Sequence, residues 1–342
     1  MSIASCPSRR IAVVSDAWYP QENGVVRVLG TLRRHLSAAG HRVGVLSPGL
    51  FRTVPCPTYP EIPLAVFPWR ATAAWLDKFA PDAIHIATEG PLGWAARNWC
   101  LRRRLPFTTA YHTKFPQYVS ARTRLPLSVP FAVVRRFHAP SRGLLVPTTS
   151  VLCELRDRGF ANLRLWSHGV DTNTFRPRPK TAFADLPRPV FLYVGRVTID
   201  KNLPAFLDLD LPGSKVIVGN GPLRPELRET YPSAHFLIAS GDEELAGYFT
   251  GADAFVFPSR TDTFGLVMLE ALACGVPVAA FPVPGPLDVI GDSGAGVLSE
   301  DLRSAALAAL DIDPERCLAH AAGFSWAKVT DQFLSNLAPV ES

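Results

Sequence analysis

Two carboxylates and a glycine stand where an apolar strand gives way to an apolar helix, between Val256 and Pro277. Asp262 lies in the polar loop, Gly265 lies near the predicted helix start, and Glu270 follows among leucines and alanines. Glycine lets a ligand approach the backbone, and the first N–H groups of a helix attract anions such as a diphosphate. A carboxylate on an apolar helix needs a partner or a ligand, and its oxygens accept hydrogen bonds from polyol hydroxyls. The pattern therefore favours a phosphate-and-sugar site over a helix cap at Asp262 and a solvated Glu270.

The elements that must position these residues form two series of strands and helices. The first starts at Arg10–Asp16 and continues through a helix at Val25–Ala39 to a strand at Arg42–Leu46. The second starts at Pro189–Gly195 and reaches the strand Lys215–Gly219. Further strands are predicted at 83–87, 107–111, 144–147, 254–258 and 276–281. Strand, loop, helix and strand form the unit of a parallel sheet, and 342 residues allow two domains. The predicted fold class is therefore α/β, with two doubly wound domains and a cleft between them.

The domain boundaries are predicted from composition. Residues 179–188 lie in a proline- and charge-rich stretch without periodicity, which is typical of a linker. The predicted domains are residues 1–178 and residues 189–323, and a C-terminal helix at 324–342 is expected to join the first of them.

Six segments, taken in order, resemble the retaining GT-B glycosyltransferases of family 4, also called group 1, which include bacterial glycolipid glycosyltransferases and α-mannosyltransferases. The segments are Pro20-x-x-Asn-Gly24-Val-Val-Arg27, Tyr111-His112-Thr-Lys-Phe-Pro-x-Tyr118, His168-Gly-Val-Asp171-Thr-x-x-Phe175-x-Pro177, Tyr193-Val-Gly195-Arg196-Val-Thr-Ile-Asp-Lys201-Asn, Val216-Ile-Val-Gly-Asn-Gly-Pro222 and Asp262-x7-Glu270. Asp262 departs from the family's E-x7-E element, in which a glutamate comes first. The resemblance implies two Rossmann-like domains facing a central cleft, the first binding the acceptor and the second the nucleotide-sugar.

The resemblance also implies roles for the site residues. Arg196 and Lys201 would bind the donor diphosphate and stabilise the leaving group, and Glu270 would bind the ribose. The implied catalytic residues are His112, Arg196, Lys201 and Asp262. The implied nucleotide-sugar-binding residues are Gly24, Arg196, Lys201, Asp262, Phe264, Gly265, Leu266 and Glu270. From the residues alone, solvated loop cations, a structural histidine and a turn glycine at Gly24 stay open as alternatives.

The implied reaction is transfer of a hexose or uronosyl unit with retention at the anomeric carbon. We expect a UDP-sugar ahead of a GDP-sugar as donor, and a lipid or lipid-linked glycan such as diacylglycerol as acceptor. No cofactor is expected, because the nucleotide-sugar is a substrate. A metal is not expected either, since the two D-x-D strings, Asp208–Asp210 and Asp311–Asp313, lie in connecting segments away from the predicted site.

The first half of the chain is strongly basic. Residues 1–150 hold 19 Lys and Arg against 6 Asp and Glu, a balance of +13, whereas residues 151–342 hold 16 against 24, a balance of −8. This split indicates an anionic partner for the first half. Arginines interleaved with apolar residues between 97 and 142 are typical of an element on an anionic membrane surface, although a solvated basic face gives the same pattern. The arginines expected at a membrane or acceptor are Arg102, Arg103, Arg104, Arg135 and Arg136.

Composition argues against several other classes. No apolar run approaches the ~18 residues of a membrane-spanning helix, and the run Ile11–Val14 is shorter than the roughly 7 residues that a signal peptide needs. We therefore expect a cytoplasmic protein, peripheral on the inner membrane face. Six scattered cysteines without a CxxC pair argue against a zinc site and a disulfide scaffold. The basic charge comes without a nucleic-acid-binding motif, so no nucleic-acid partner is expected.

Other functions remain open at this point. A nicotinamide-dependent oxidoreductase would need a third glycine after Gly219-Asn-Gly221, where the chain has none. A GT-B epimerase would share the donor site without the basic acceptor surface. A non-catalytic sugar-nucleotide-binding protein, or a mannosyltransferase with a soluble acceptor, would keep the same donor residues.

Overall fold

A computed structural model describes residues 8–21, 23–56 and 59–340, without the side chains of 59–61 and 121–122. The chain divides into two compact units, one formed by residues up to Ser167 together with those from Ala327 onward, and the other by His168–Trp326. The division comes before the predicted boundary at residue 178. The reason is that Val170 and Phe175 are buried in the core of the second unit.

The first unit is built on a six-stranded parallel sheet of order β2-β1-β5-β6-β7-β8, with a separate antiparallel hairpin β3-β4. Its strands are β1 (Arg10–Val14), β2 (Arg42–Leu46), β3 (Thr53–Cys56), β4 (Tyr59–Ala65), β5 (Ala83–Ile86), β6 (Thr108–Ala110), β7 (Gly143–Val146) and β8 (Leu163–Leu165). Its first six helices are α1 (Gly24–Ala38), α2 (Trp69–Phe79), α3 (Pro91–Arg103), α4 (Phe115–Thr123), α5 (Ser128–His138) and α6 (Thr149–Asp157).

Helix α1 shows why these residues fold locally as they do. The Asn23 side chain caps the helix by accepting a hydrogen bond from the Val26 N–H at 3.1 Å. Apolar residues then recur on the face that packs against the sheet, and the chain leaves the helix through Gly40, whose φ of +87° suits glycine. The helix predicted at Val25–Ala39 is thus confirmed within one residue at each end.

The second unit repeats this architecture with a six-stranded parallel sheet of order β11-β10-β9-β12-β13-β14. Its strands are β9 (Val190–Val194), β10 (Ser214–Val218), β11 (His235–Leu237), β12 (Ala254–Phe257), β13 (Val278–Ala280) and β14 (Gly296–Leu298). Its helices are α7 (Pro204–Leu207), α8 (Arg224–Thr230), α9 (Asp242–Gly251), α10 (Leu266–Ala273), α11 (Pro284–Val289), α12 (Leu302–Ala309) and α13 (Pro314–Ala321). The strand order reverses between β9 and β12, and ligands of such sheets bind outside the carboxyl ends of the strands at that point.

The segment predicted as a linker, residues 179–188, belongs to the second unit. The Phe183 ring stacks on Tyr248 at 5.5 Å between centroids. Lys180 and Arg188 both form ion pairs with Asp253, at 3.0 and 2.8 Å. Aromatic packing and paired charges therefore hold this segment against the domain that follows it.

The last helix, α14 (Trp326–Asn336), carries the chain back into the first unit. Its Phe333 is buried and packs against His85 and Trp166, with ring centroids 5.0 and 5.2 Å away. The Trp166 indole N–H donates to the Val329 carbonyl at 3.2 Å. The C-terminal segment thus completes the core beneath the sheet of the first unit. Over the described part of the chain, no helix is both long enough and apolar enough to cross a membrane.

Candidate functional site

Three predicted donor-binding residues meet at the strand-order reversal of the second sheet. Arg196 follows β9, Lys201 ends a 3₁₀ turn (Ile199–Lys201) in the same loop, and Asp262 lies in the loop after the neighbouring strand β12. Lys201 Nζ lies 2.5 Å from Asp262 Oδ1, although the two residues are far apart in the sequence. The structure therefore joins the phosphate-binding and sugar-binding halves of the predicted site.

The ion pair between Lys201 and Asp262 sets the charge of the site. Burial acts to raise the pKa of Asp262, but the adjacent Lys201 ammonium outweighs it and lowers that pKa below its usual value. The carboxylate is therefore ionised at neutral pH. Its second oxygen, Oδ2, is buried and accepts no hydrogen bond among the described residues. A buried acceptor of this kind suits a ligand hydroxyl or amide.

Arg196 is the exposed cation of the site, with 36% of its side chain accessible. Its guanidinium lies 3.5 Å from Asp200, which also lies 4.0 Å from Lys201 Nζ. An ion pair in such a partly exposed position contributes little to stability. Sequence reasoning passed over Asp200, although an acid between two cations is a visible signal.

Hydrogen bonds fasten the cationic loop to the loop that carries Asp262. The Asn202 side-chain amide donates to the Pro258 carbonyl at 3.1 Å. The hydroxyls of Ser259 and Thr261 donate to the Asp200 carbonyl at 3.4 and 3.3 Å. These hydrogen bonds tie the two strand-end loops together, which keeps the predicted donor-binding side chains in fixed positions.

The glycines of the Gly219-Asn-Gly221 segment serve to pack the cationic loop. A Cβ on Gly219 would lie 1.9 Å from the Gly195 carbonyl oxygen, and one on Gly221 would lie 2.3 Å from the Val197 carbonyl oxygen. Both glycines also have a positive φ, near +149° and +158°. Only residues without a side chain allow this approach. The segment thus positions the backbone on either side of Arg196.

Gly265 and Glu270 stand at the start and in the body of α10. Gly265 caps the helix with φ +88°, a left-handed conformation that favours glycine. Glu270 is buried among the apolar residues of the helix, as the sequence predicted. Phe264 is also buried, with its ring 4.8 Å from His168, and Leu266 is partly buried against the core. Phe264 can therefore meet a ligand only through its backbone, whereas Leu266 keeps part of its side chain accessible.

We expect Gly265→Ala to destabilise the second unit by about 1–3 kcal/mol, because alanine is strained at this φ. The added Cβ would also lie 2.7 Å from Met268 Cε. Urea unfolding at neutral pH measures the change. The matched control is Gly247→Ala, inside α9, where an added Cβ meets nothing within 4 Å. That control should be neutral or slightly stabilising. An equal response of the two variants would contradict the strained helix start.

The first unit presents its predicted residues at the carboxyl edge of its own sheet. Gly24 is exposed and begins α1, directly after Asn23. His112 follows β6, where it packs edge-on against Trp166 with ring centroids 5.7 Å apart. Their roles toward a donor stay predictions.

Asp16, at the end of β1, is a buried acid that sequence reasoning missed. Its carboxylate accepts hydrogen bonds from the Leu92 N–H at 3.0 Å, the Gly93 N–H at 3.3 Å and the Thr88 hydroxyl at 2.8 Å. It therefore caps α3 from across the sheet edge. Burial, opposed by these hydrogen bonds, raises the pKa of Asp16 to about 6. The sequence signal for this residue was an acid that closely follows a buried strand.

Asp16 should make the free energy of unfolding fall as pH rises from about 4 to 6. In this window the unfolded chain releases the proton that the folded chain retains, so folding is disfavoured by on the order of 3 kcal/mol. Above pH 6 both states are ionised and the effect is constant. Urea unfolding at pH 4.5 and 6.5 should show this loss in the native chain and a smaller one in Asp16→Asn. Equal losses would contradict the raised pKa.

The arginines of the predicted basic surface are all exposed, and two of them also contact other residues of the first unit. Arg103 forms an ion pair with Asp77 at 2.9 Å, and Arg135 donates to the Arg158 carbonyl at 2.9 Å. The other three arginines predicted for this surface, Arg102, Arg104 and Arg136, are exposed. Helix α5 buries one face but exposes Val129 and Val133 on the other. The outer face of α5 therefore combines apolar and basic side chains.

The D-x-D strings take part in local contacts. Asp208 accepts a hydrogen bond from the Tyr231 hydroxyl at 2.6 Å, and the Asp210 carbonyl accepts one from Arg303 at 2.7 Å. Across residues 8–21, 23–56 and 59–340, no cluster of three or more His, Cys, Asp or Glu side chains is arranged to hold a metal ion.

Comparison with known proteins gives consistent matches over most of the chain. The family model described as Glycosyltransferase Family 4 matches residues 22–174, and that described as Glycosyl transferases group 1 matches residues 188–312. A GDP-mannose-dependent alpha-mannosyltransferase of Corynebacterium glutamicum is 29% identical over 97% of this chain and 89% of its own length. An alpha-monoglucosyldiacylglycerol synthase of Streptococcus pneumoniae is 28% identical over 90% of this chain and 79% of its own length.

Among solved structures, the sucrose-phosphate synthase of Thermosynechococcus elongatus has a similar fold, with a TM-score of 0.77 at 22% identity. The match covers 96% of this chain and 98% of the other. At this identity the likeness concerns the fold alone.

Proposed function

Because the chain belongs to the glycosyltransferases of family 4 and group 1, we propose that it transfers a hexosyl unit, with retention, from a nucleotide-sugar to a lipid or lipid-linked glycan. Its two α/β units are those of the GT-B fold. The observation that carries the proposal is the Lys201–Asp262 ion pair beside Arg196, at the strand-order reversal of the second sheet.

The two cations are the proposed diphosphate ligands. Arg196 and Lys201 supply positive charge at the sheet edge where α/β ligands bind, and fixed charge of this kind stabilises a departing phosphate. Glu270 is proposed to bind the ribose hydroxyls and Asp262 the transferred sugar. The unsatisfied Oδ2 of Asp262 supports this role, because a sugar hydroxyl can donate to it.

The ion pair also bears on the proposed mechanism. A lowered pKa makes the Asp262 carboxylate a weak base, and its Oδ1 is occupied by Lys201. Asp262 is therefore better suited to binding than to nucleophilic attack. We propose that the departing phosphate helps to deprotonate the acceptor on the same face of the sugar, which leads to retention. The cationic pair would neutralise that phosphate without a metal or other cofactor.

GDP-mannose is the proposed first donor. The sequence favoured a UDP-sugar, but the Corynebacterium glutamicum relative, which aligns over nearly the whole chain, is named as GDP-mannose-dependent. A UDP-hexose or UDP-uronosyl donor is the second candidate. The proposed acceptor is a lipid such as diacylglycerol or a glycolipid, since the Streptococcus pneumoniae relative is named as an alpha-monoglucosyldiacylglycerol synthase.

A donor panel tests the proposal. GDP-mannose, UDP-glucose and UDP-glucuronate would each be incubated with the protein and with a membrane lipid extract. Nucleotide release that requires the extract, together with an α-linked product by NMR, is the expected result. Release without acceptor would favour a hydrolase or an epimerase-like activity. Binding without turnover for every donor would favour a non-catalytic protein.

We further propose a peripheral position on the cytoplasmic face of the membrane, with the outer face of α5 and its neighbouring arginines toward anionic lipid. Arg102→Glu combined with Arg136→Glu should weaken binding to phosphatidylglycerol vesicles at low salt at least ~10-fold, because each arginine contributes about 1 kcal/mol. Arg228→Glu with Arg316→Glu, two exposed positions of the second unit, has the same charge change and should bind normally. If the native chain ignored such vesicles, the membrane proposal would fail.

A further inference from the structure

The first unit contains a pocket of about 440 Å³ beside the carboxyl edge of its sheet. It lies where the chain passes from β4 to α2 and from β5 to α3. Its main lining residues are Phe67, Trp69, Glu89, Gly90, Pro91 and Trp94. Since β5 and β6 are neighbours, Glu89 leaves the same sheet edge from which His112 emerges.

Two aromatic side chains of this pocket are exposed to solvent. Phe67 is 85% exposed and Trp69 is 47% exposed. The Phe67 backbone has φ +49°, a left-handed conformation that costs a bulky residue free energy. Neither the solvent exposure of these two rings nor the left-handed backbone at Phe67 stabilises the fold. Two neighbouring exposed aromatic rings at a pocket offer apolar surface that a ligand can cover.

Glu89 is the only charged residue among the described side chains that line the pocket. Its side chain is 19% exposed, and Oε1 lies 3.1 Å from Nε2 of the buried His138. An acyl chain in the pocket would strip water from this carboxylate and offer no hydrogen-bond donor in return. A sugar or polyol ring would present C–H groups to the aromatic faces and hydroxyls to the carboxylate. The lining chemistry thus favours a carbohydrate over a lipid tail.

The pocket wall is preformed. A Cβ on Gly90 would lie 2.4 Å from Asp16 Cγ, so the backbone there rests directly on the carboxylate that caps α3. Trp94, in the first turn of α3, is backed by the Phe137 ring at 5.1 Å and the Arg97 guanidinium at 4.9 Å. A rigid wall lowers the entropy that binding would otherwise cost.

We propose that this pocket binds a sugar or polyol ring of the acceptor, with the ring against Phe67 and Trp69 and a hydroxyl donating to Glu89. The acceptor would then be a molecule that already carries such a ring, for example a glycolipid, rather than diacylglycerol. Calling the ligand an acceptor rests on the proposed glycosyltransferase function, whereas ring binding by the pocket does not.

Saturation-transfer NMR on the full chain, without any donor, tests the pocket directly. The probes are methyl α-D-mannopyranoside and methyl α-D-glucopyranoside, with 1,2-dihexanoylglycerol as the acyl probe. We expect millimolar binding of at least one glycoside, weakened at least ~5-fold by Trp69→Ala and by Glu89→Gln. Trp69→Phe, which keeps a ring, should retain most of the binding. Leu165→Ala, an exposed apolar position on β8 outside the pocket, should bind like the native chain.

The outcomes separate this inference from the proposed function. Glycoside binding that Trp69→Ala leaves unchanged, no glycoside binding, or displacement of the glycosides by dihexanoylglycerol would each overturn the pocket assignment. A donor panel without turnover would instead overturn the transferase proposal while leaving ring binding intact. Where transfer is detected, Trp69→Ala should raise the acceptor KM with little change in kcat, which a folding defect would not do.

Discussion

Arg196→Ala is expected to lower kcat for glycosyl transfer by about 10²–10³-fold, the usual loss when one charge-stabilising group is removed from an active site. The unfolding midpoint should stay close to that of the native chain. The side chain of Arg196 is 36% exposed, and an ion pair as long as its 3.5 Å contact with Asp200 contributes little to stability. Nucleotide release at saturating donor and acceptor measures kcat, and urea unfolding measures stability.

The matched control for this variant is Arg303→Ala. Arg303 is an exposed arginine on α12 of the same unit, and its contacts are with Asp210. The Arg303→Ala variant removes the same charge from the same unit and leaves the loop after β9 unchanged. Transfer by Arg303→Ala should match the native rate. Near-native turnover by Arg196→Ala with every donor of the panel would show that Arg196 does not serve the leaving group.

Glu270→Ala is expected to abolish detectable transfer at ordinary donor concentrations, mainly by raising the donor KM about 10²-fold. A hydrogen bond from a ligand hydroxyl to a charged group contributes roughly 1.5–3 kcal/mol. The proposed ribose contact would use the buried carboxylate of α10, so water could replace it only poorly. Calorimetric titration with GDP, and with UDP, measures the loss of affinity directly.

Two companion variants separate binding from folding for Glu270. Glu270→Gln keeps the shape of the side chain and one oxygen acceptor, so its affinity should lie between those of the native chain and of Glu270→Ala. Glu229→Ala removes an exposed acid from α8 and should bind nucleotide normally. Unchanged nucleotide affinity in Glu270→Ala would leave the carboxylate with a purely structural role in the helix.

All interior strands of the two six-stranded sheets were predicted from sequence, whereas the edge strands β8, β11 and β14 and the hairpin β3-β4 were not. The starting strands of both sheets, β1 and β9, have five residues each and were found at the predicted positions. Strands β8, β11 and β14 have three residues each and lie toward the sheet edges. Their residues are only partly buried or exposed, so they lack the continuous apolar run that marks a buried strand. Their pairing depends on neighbours that are distant in the sequence.

The same contrast holds for the functional residues. Asp262 was recognisable because it follows an apolar strand, and Arg196 and Lys201 were recognisable through the family resemblance of their loop. Asp16 and the aromatic pocket at Phe67 and Trp69 were missed. Nothing in the local sequence says that Asp16 is buried under α3, or that two aromatic residues of the same unit remain exposed.

The sequence by itself determined the family, the two α/β domains and the kinds of chemical group at the donor site, because these depend on residue type and short spacing. Only the tertiary structure decided which groups meet. Lys201 and Asp262 come together because the strand order of the second sheet makes β9 and β12 neighbours. That contact, together with burial, sets the pKa of Asp262, since a pKa responds to distance and solvent rather than to position along the chain.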